Sequence, residues 1–197
     1  MIFKIQNERN SFGTLTRAGS LVMILALAAQ LAACSKGSVV KDDRKTSAVT
    51  STDQLRDFEV QMLDGPKVRL SELTAQNKVI VFDFWASWCG PCKIEIPHLV
   101  ELQKDYKDKG VEVVGLVIQD SEDKIRAFMH EMPMNYRIGF AGEGMFEAFS
   151  GGYSGIPQTL IFDRSGKLIK HMKGIPRDPS TLRSMLRDSV DKALQQS

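Results

Sequence analysis

The sequence predicts an α/β sandwich built around a central mixed β-sheet. Three observations carry that expectation. Two nearly continuous apolar runs, Val79–Trp85 and Val111–Ile118, have the composition of strands buried on both faces. Each run is followed by a stretch in which apolar residues recur at helical spacing. A hairpin pattern and a closing amphipathic helix then complete an order that suits helices packed on both sides of one sheet.

Taken in order, Phe58–Leu63 and Lys67–Leu70 flank Asp64-Gly65-Pro66, residue types of a tight turn, so an N-terminal β-hairpin extension precedes the first core strand. After Val79–Trp85, Cys92, Ile96, Leu99, Val100 and Tyr106 mark one face of a helix. Pro91 suits the first turn of that helix, and Pro97 inside it is expected to produce a kink. Val111–Ile118 is the second buried strand, and Ser121 is placed to cap a helix carrying Ile125, Phe128 and Met129 on one face. A short helix is expected over Gly144–Phe149. Thr159–Asp163 and Leu168–His171, joined by Arg-Ser-Gly-Lys, read as an antiparallel hairpin. Asp178-Pro179 opens the last helix, with Leu182, Met185, Leu186 and Val190 facing the core.

The chain has 197 residues, 43% hydrophobic and 25% charged, a globular balance that excludes a collagen, a coiled coil, a disordered chain and a polytopic membrane protein. Lys and Arg number 26 against 24 Asp and Glu, so no basic field is available and no nucleic-acid partner is expected. Three cysteines are too few for a disulfide framework, and the odd one needs a separate explanation.

That explanation lies near the start. Lys4, Arg9 and Arg17 precede an uncharged stretch, Ala18–Ser35, with the apolar run Leu21–Ala29 in its middle. This is the order of a secretory signal. A membrane-spanning helix needs about 20 mostly apolar residues, and Gly19, Ser20 and Gln30 interrupt this run. The stretch Leu31-Ala32-Ala33-Cys34 resembles the lipobox of bacterial lipoproteins, which implies a diacylglyceryl group on Cys34 and cleavage just before it. Removing residues 1–33 takes the cationic count from 26 to 23 and the anionic count from 24 to 23, so net charge would not select partners. Residues 35–54, rich in Ser, Thr, Lys and Asp, read as a tether spanning roughly 25 Å. The expected organisation is a signal peptide at 1–33, a lipidated cysteine and tether at 34–54, and one domain at 55–197.

The chemistry centres on Trp88-Cys89-Gly90-Pro91-Cys92 at a strand-to-helix junction. Unpaired backbone N–H groups and the positive end of the helix dipole favour a thiolate at the first sulfur, lowering its pKa from about 8.5. The second cysteine lies one turn on, placed to attack a mixed disulfide. A zinc site would need two further ligands, whereas the remaining cysteine is assigned to lipid and His98, His130 and His171 show no ligand spacing. A structural disulfide closing so small a loop would add little stability. Neither a metal nor a cofactor is expected, and Met129 and Met132 read as core rather than a copper site.

The segment Val81–Lys93 resembles the active-site segment of thioredoxins. With the lipobox, the early hairpin and the insertion before Pro157, residues 56–195 are similar to the TlpA/ResA-like membrane-tethered thioredoxins. That resemblance implies a thioredoxin-like three-layer sandwich. It aligns Asp83 with the buried aspartate of thioredoxins, a position where many TlpA-type proteins are uncharged. Independently, a carboxyl between Phe82 and Phe84 in a buried strand is anomalous, and desolvation should make it a proton acceptor for Cys92. Glu95 matches an active-site glutamate of ResA-like proteins. By spacing it shares a helix face with Cys92, although a solvated helix carboxylate fits the sequence equally well. Gly155-Ile156-Pro157 matches the cis-proline loop, which in the family packs against the sulfurs and presents backbone to substrate; an ordinary trans-proline turn is the alternative. With Gly90 and Pro91, these residues form the expected substrate-binding set. Trp88 adds an apolar docking surface, while Trp85 belongs to the core.

The resemblance implies a lipid-anchored thiol–disulfide oxidoreductase of the bacterial envelope that reduces disulfides in extracytoplasmic proteins. Its implied electron donor is a membrane protein of the DsbD/CcdA kind. Gly90-Pro91 and the non-hydroxyl Ile156 match thioredoxin and so point toward a reductant. Ser35 suggests outer-membrane sorting in a Gram-negative cell. Apocytochrome c cysteines are one candidate substrate among several. The alternatives are a thiol peroxidase of the redoxin type, a copper-delivery protein and a redox-inert lipoprotein.

Overall fold

Strand β3 (Val79–Trp85) is buried at every position and lies inside a seven-stranded sheet. It does so in a computed structural model that describes residues 55–178 and 180–197. The expected signal peptide, Cys34 and the expected tether to residue 54 lie outside the described residues, as does Pro179.

Chain order explains the sheet. β1 (Glu59–Met62) and β2 (Lys67–Arg69) form the expected hairpin, and β1 then pairs antiparallel with β5 (Arg137–Phe140). β3 and β5 flank β4 (Val111–Val117), both parallel to it. β6 (Gln158–Asp163) runs antiparallel to β3, and β7 (Leu168–Lys173) antiparallel to β6. The spatial order β2-β1-β5-β4-β3-β6-β7 is the mixed sheet expected from the sequence.

Helices cover both faces. Against one lie α2 (Gly90–Tyr106), α3 (Glu122–Glu131) and α5 (Ser180–Gln196), burying Ile96, Leu99, Ile125, Leu182 and Val190 over Val79, Val81 and Trp85 of β3. Against the other lie α1 (Leu70–Gln76) and α4 (Met145–Ser150), whose Leu70, Leu73, Met145 and Phe149 meet Phe82, Phe84 and Phe162. The three layers are the thioredoxin-like arrangement.

Two elements carried no signal in the sequence. Helix α1 is seven residues long and its start is fixed from outside: Asp57 accepts from the Ser71 N–H at 3.0 Å and from the Arg69 guanidinium at 2.8 Å. Strand β5 is four residues long and reads as a strand only once β1 and β4 flank it. Pro97 lies inside α2 and is exposed to solvent. One expectation needs adjustment. Ser121 occupies the N-cap position of α3, but it is the Asp120 carboxylate that accepts the Ser121 N–H, at 2.9 Å.

Candidate active site

Cys89 is the N-cap of α2, and its sulfur accepts the backbone N–H of Cys92 at 3.2 Å. The two cysteines are joined in a disulfide, with Cα atoms 5.3 Å apart. Cys92 is fully buried while Cys89 retains 4% exposure, so Cys89 is the more accessible residue of the pair. Gly90 and Pro91 form the first turn and face solvent. A Cβ at Gly90 would meet nothing within 4 Å, so packing does not dictate that glycine.

The loop before Cys89 is tied down from β4. Asp120 accepts from the Ser87 N–H at 2.8 Å and the Ser87 hydroxyl at 2.6 Å, and these bonds with Ser121 hold its carboxyl below the usual range against the opposing effect of burial. Trp88 is 56% exposed, the most open large apolar side chain among the described residues, and its indole N–H donates to the Gln119 carbonyl at 3.2 Å. Trp85 is wholly buried, as expected of a core residue.

On the far side of β3, the Ile156–Pro157 peptide bond is cis. The register pairs Phe84 with Gln158, which sets Pro157 beside the end of β3 from which the chain runs into Cys89. Gln158 braces this loop. Its amide nitrogen donates to the carbonyls of Tyr153 at 3.0 Å and Gly155 at 2.9 Å, so its oxygen accepts from His171 Nε2–H at 2.8 Å. Burial, then the nearby Lys173 charge, pushes the His171 imidazole below its ordinary pKa. A Cβ at Gly155 would lie 2.8 Å from the Tyr153 hydroxyl, so a side chain there would displace the exposed Tyr153 ring.

Beneath the disulfide the α2 face of the sheet turns polar. Asp83 is fully buried with both carboxyl oxygens unpartnered. Its Cα partners are Gly115 on β4 and Thr159 on β6, and Ile138 on β5 continues the row beyond Gly115. Glu95 descends onto this row from α2. It is buried, one turn after Cys92, and one of its oxygens accepts the Thr159 hydroxyl. A solvated helix carboxylate is therefore the wrong reading of Glu95. Burial pushes the Glu95 carboxyl up to about 7 against the opposing effect of Thr159, and burial followed by the Glu95 charge drives Asp83 well above the carboxylate range. Tyr136, also buried, has its hydroxyl raised by burial and then by both carboxyls.

Sequence reasoning found Asp83 and Glu95 but missed Thr159, Tyr136, Gln158 and Asp120. Thr159 had a faint signal as a polar residue opening an apolar run. The others depend on which strands pair.

The fold and this site define a thioredoxin-fold protein with a dithiol–disulfide centre at a helix start. The AhpC/TSA family model matches residues 52–172, and the chain belongs to that family. It is 33% identical over 122 residues to the thiol:disulfide interchange protein HelX of Rhodobacter capsulatus, covering 56% of this chain and 66% of that one. To the thiol-disulfide oxidoreductase ResA of Oceanobacillus iheyensis it is 33% identical over 139 residues, covering 68% and 67%. A crystal structure of a thioredoxin-family thiol:disulfide interchange protein from Chlorobium tepidum superposes with a TM-score of 0.60 at 27% identity, covering 72% of this chain and 96% of that one. The match thus spans about two thirds of the curated relatives. Among the described residues, no helix is long and apolar enough to cross a membrane, and no group of three or more His, Cys, Asp or Glu side chains is placed to hold a metal ion.

Proposed function

We propose that this chain is a thiol–disulfide oxidoreductase that reduces disulfides in extracytoplasmic proteins through Cys89 and Cys92. The observation that carries the reading is a disulfide at the N-terminus of α2, beside a cis-proline loop and above two buried carboxyls. The Cys89 thiolate attacks one sulfur of the substrate disulfide; that S–S bond breaks and the first substrate sulfur leaves as a thiolate. The Cys92 thiol then gives its proton to the carboxyl pair and attacks the Cys89 sulfur. The mixed disulfide breaks, the second substrate sulfur leaves, and two electrons have passed to the substrate. The Cys89–Cys92 disulfide is the product of that step.

Asp83 and Glu95 act as one unit in this scheme, because interacting acids titrate as a pair. Asp83 is raised well above the ordinary carboxylate value and Glu95 to about 7, chiefly by burial, so a proton taken up by the pair is held near neutrality. An acceptor with that pKa is matched to the working pH.

The wider reading is that Cys34 carries lipid, that residues 35–54 hold the domain off the bilayer surface, and that a membrane donor of the DsbD/CcdA kind returns electrons. The names of the relatives support the dithiol chemistry, and Gly90-Pro91 supports a reductant. Insulin reduction by the protein, with accumulation of a mixed disulfide in Cys92→Ser, tests the activity. A protein that turns over hydrogen peroxide but leaves insulin intact is instead the thiol-peroxidase alternative. Loss of membrane attachment in Cys34→Ala tests the anchor.

A further inference from the structure

Among the described residues, three large apolar side chains stand exposed: Trp88, Ile94 and Tyr153. Trp88 and Tyr153 mark the two ends of a trough beside α4. It consists of two hollows that meet at Phe146 and Glu147. The first, about 250 Å³, is walled by Ile118, Gln119 and Glu143 as well as that pair. The second, about 300 Å³, continues from the same pair to Tyr153 and Ser154.

Both ends lead to the dithiol. At one end the Gln119 carbonyl holds the Trp88 indole N–H at 3.2 Å, and Trp88 directly precedes Cys89. Gln119 does so from a φ of 49°, a left-handed backbone uncommon for a residue with a side chain, and such strain gathers at functional sites. At the other end Tyr153 and Ser154 run into the cis-Pro157 loop, where Gln158 fixes the Tyr153 and Gly155 carbonyls. Between them the Phe146 ring stands edge-on to Phe84 of β3, with centroids 5.3 Å apart. A polypeptide that brings a sulfur to Cys89 continues on both sides of that sulfur, and the trough offers it partly apolar ground from Trp88 to the cis-Pro157 loop. The charge there has one sign. Glu143 and Glu147 are the only charged residues lining either hollow. Both are exposed, and neither forms an ion pair with another described residue. Lys173 donates to the Gly151 carbonyl at 3.2 Å and lines neither hollow.

We propose that this trough seats the polypeptide flanking a substrate disulfide, and that Glu143 and Glu147 select a Lys or Arg side chain within it. This rests on the reading of the protein as a disulfide reductase and narrows its substrates to those with a cationic residue near the cysteine. Phe146 and Tyr153 cover the aliphatic stem of such a side chain while its charged head meets the carboxylates. An acidic side chain on the same ground meets like charge, so the trough rejects as well as attracts.

The test follows the reduced full chain by rapid quench with end-blocked peptides, each carrying one cysteine as a disulfide with 2-mercaptoethanol. Three versions place Lys, Gln or Glu at the third and fourth positions on both sides of that cysteine. Each rate is divided by the rate with dithiothreitol, which removes the neighbours' effect on the cysteine itself. Lys should exceed Gln by about two- to fivefold, the range of an exposed ion pair, and Glu should fall below Gln. The Lys excess should shrink in about 0.5 M salt. In a Glu143→Gln, Glu147→Gln double variant the Lys-to-Gln ratio should drop to about one. An Asp108→Asn, Asp188→Asn variant removes the same charge beyond the end of α2 and on α5, and should keep the parental ratio. Equal normalised rates for the three peptides overturn the proposal. So does a preference that survives the glutamate variant, or one lost equally in the aspartate variant. If the reduced protein leaves insulin and all three peptides intact, the reductase reading itself fails and the trough proposal falls with it.

Discussion

Replacing Glu95 with Gln should change how stability depends on pH, and the size of the change follows from the burial of one carboxyl. Glu95 goes from an ordinary pKa of 4.5 to about 7 on folding, chiefly through burial. Over that interval the folded protein holds a proton that the unfolded chain has released, so raising the pH favours unfolding. Stability from this group is full below pH 4.5 and falls as pH rises through about 7. A rise of about 2.5 in pKa at 1.36 kcal/mol each amounts to about 3 kcal/mol. Asp83 has the same sign, its contribution also being lost as pH rises through its raised folded-state value. Exposed carboxyls held low by partners, such as Asp57 and Asp178, lose their contribution only as pH falls; they are common to both proteins and cancel in the comparison. Gln keeps an oxygen for the Thr159 hydroxyl. The assay is urea unfolding of the oxidised proteins from pH 4.5 to 8.5, extrapolated to water. Glu95→Gln should gain about 3 kcal/mol relative to the parent between the two ends. Parallel stability curves would show that Glu95 titrates as an ordinary surface carboxylate, and the buried acid pair would be lost with it.

In the reduced protein, iodoacetamide at neutral pH should alkylate Cys89 first, because its sulfur sits at the helix N-cap and Cys92 is sealed; mass mapping that finds Cys92 modified first reverses their roles. Gly115→Ala should cost about 1–3 kcal/mol in urea melts, since the new Cβ meets Ile138 Cδ1 and Trp85 Nε1 at 2.8 Å, and an unchanged midpoint refutes the close packing above Asp83. Gln158→Leu leaves two loop carbonyls and His171 unpaired, so KM for insulin should rise with little change in the alkylation rate of Cys89, and an unaltered KM removes Gln158 from substrate presentation.

How far the sequence could be read depended on whether a residue's signal was local. Cys89, Cys92 and Pro91 announce a helix start by adjacency alone, and Val79–Trp85 announces a buried strand by composition. Asp83 stood out because it broke that composition. Glu95 was ambiguous for the opposite reason: a carboxylate on a helix is ordinary until the helix is laid on the sheet. Tyr136 was out of reach, and Thr159 gave only a faint signal, because their meaning lies in register. Thr159 matters as the cross-strand partner of Asp83, and Tyr136 because β5, too short to show in the sequence, brings its start alongside β4. Helix α1 escaped notice because much of its capping comes from Asp57, upstream of the hairpin.

The two faces of the same three strands show where the fold gives up packing. Toward α1 and α4, β3, β4 and β6 present Ile80, Phe82, Phe84, Val114, Leu116, Leu160 and Phe162, an apolar layer of interlocking rings. Toward α2, the middle row reads Thr159, Asp83, Gly115 and Ile138, with Glu95 lowered onto it. A core chosen for stability alone would fill Gly115 and replace both carboxyls, since each unpaired buried polar group costs about 1–3 kcal/mol. Breaches of local rules gather at functional sites. Among the described residues, Asp83, Glu95, Trp85 and Tyr136 bring their unpaired atoms to the layer between the sheet and the helix that carries the dithiol. That shared placement, more than any single residue, supports the proposal that the polar row serves the chemistry of the sulfurs and not the architecture of the sheet.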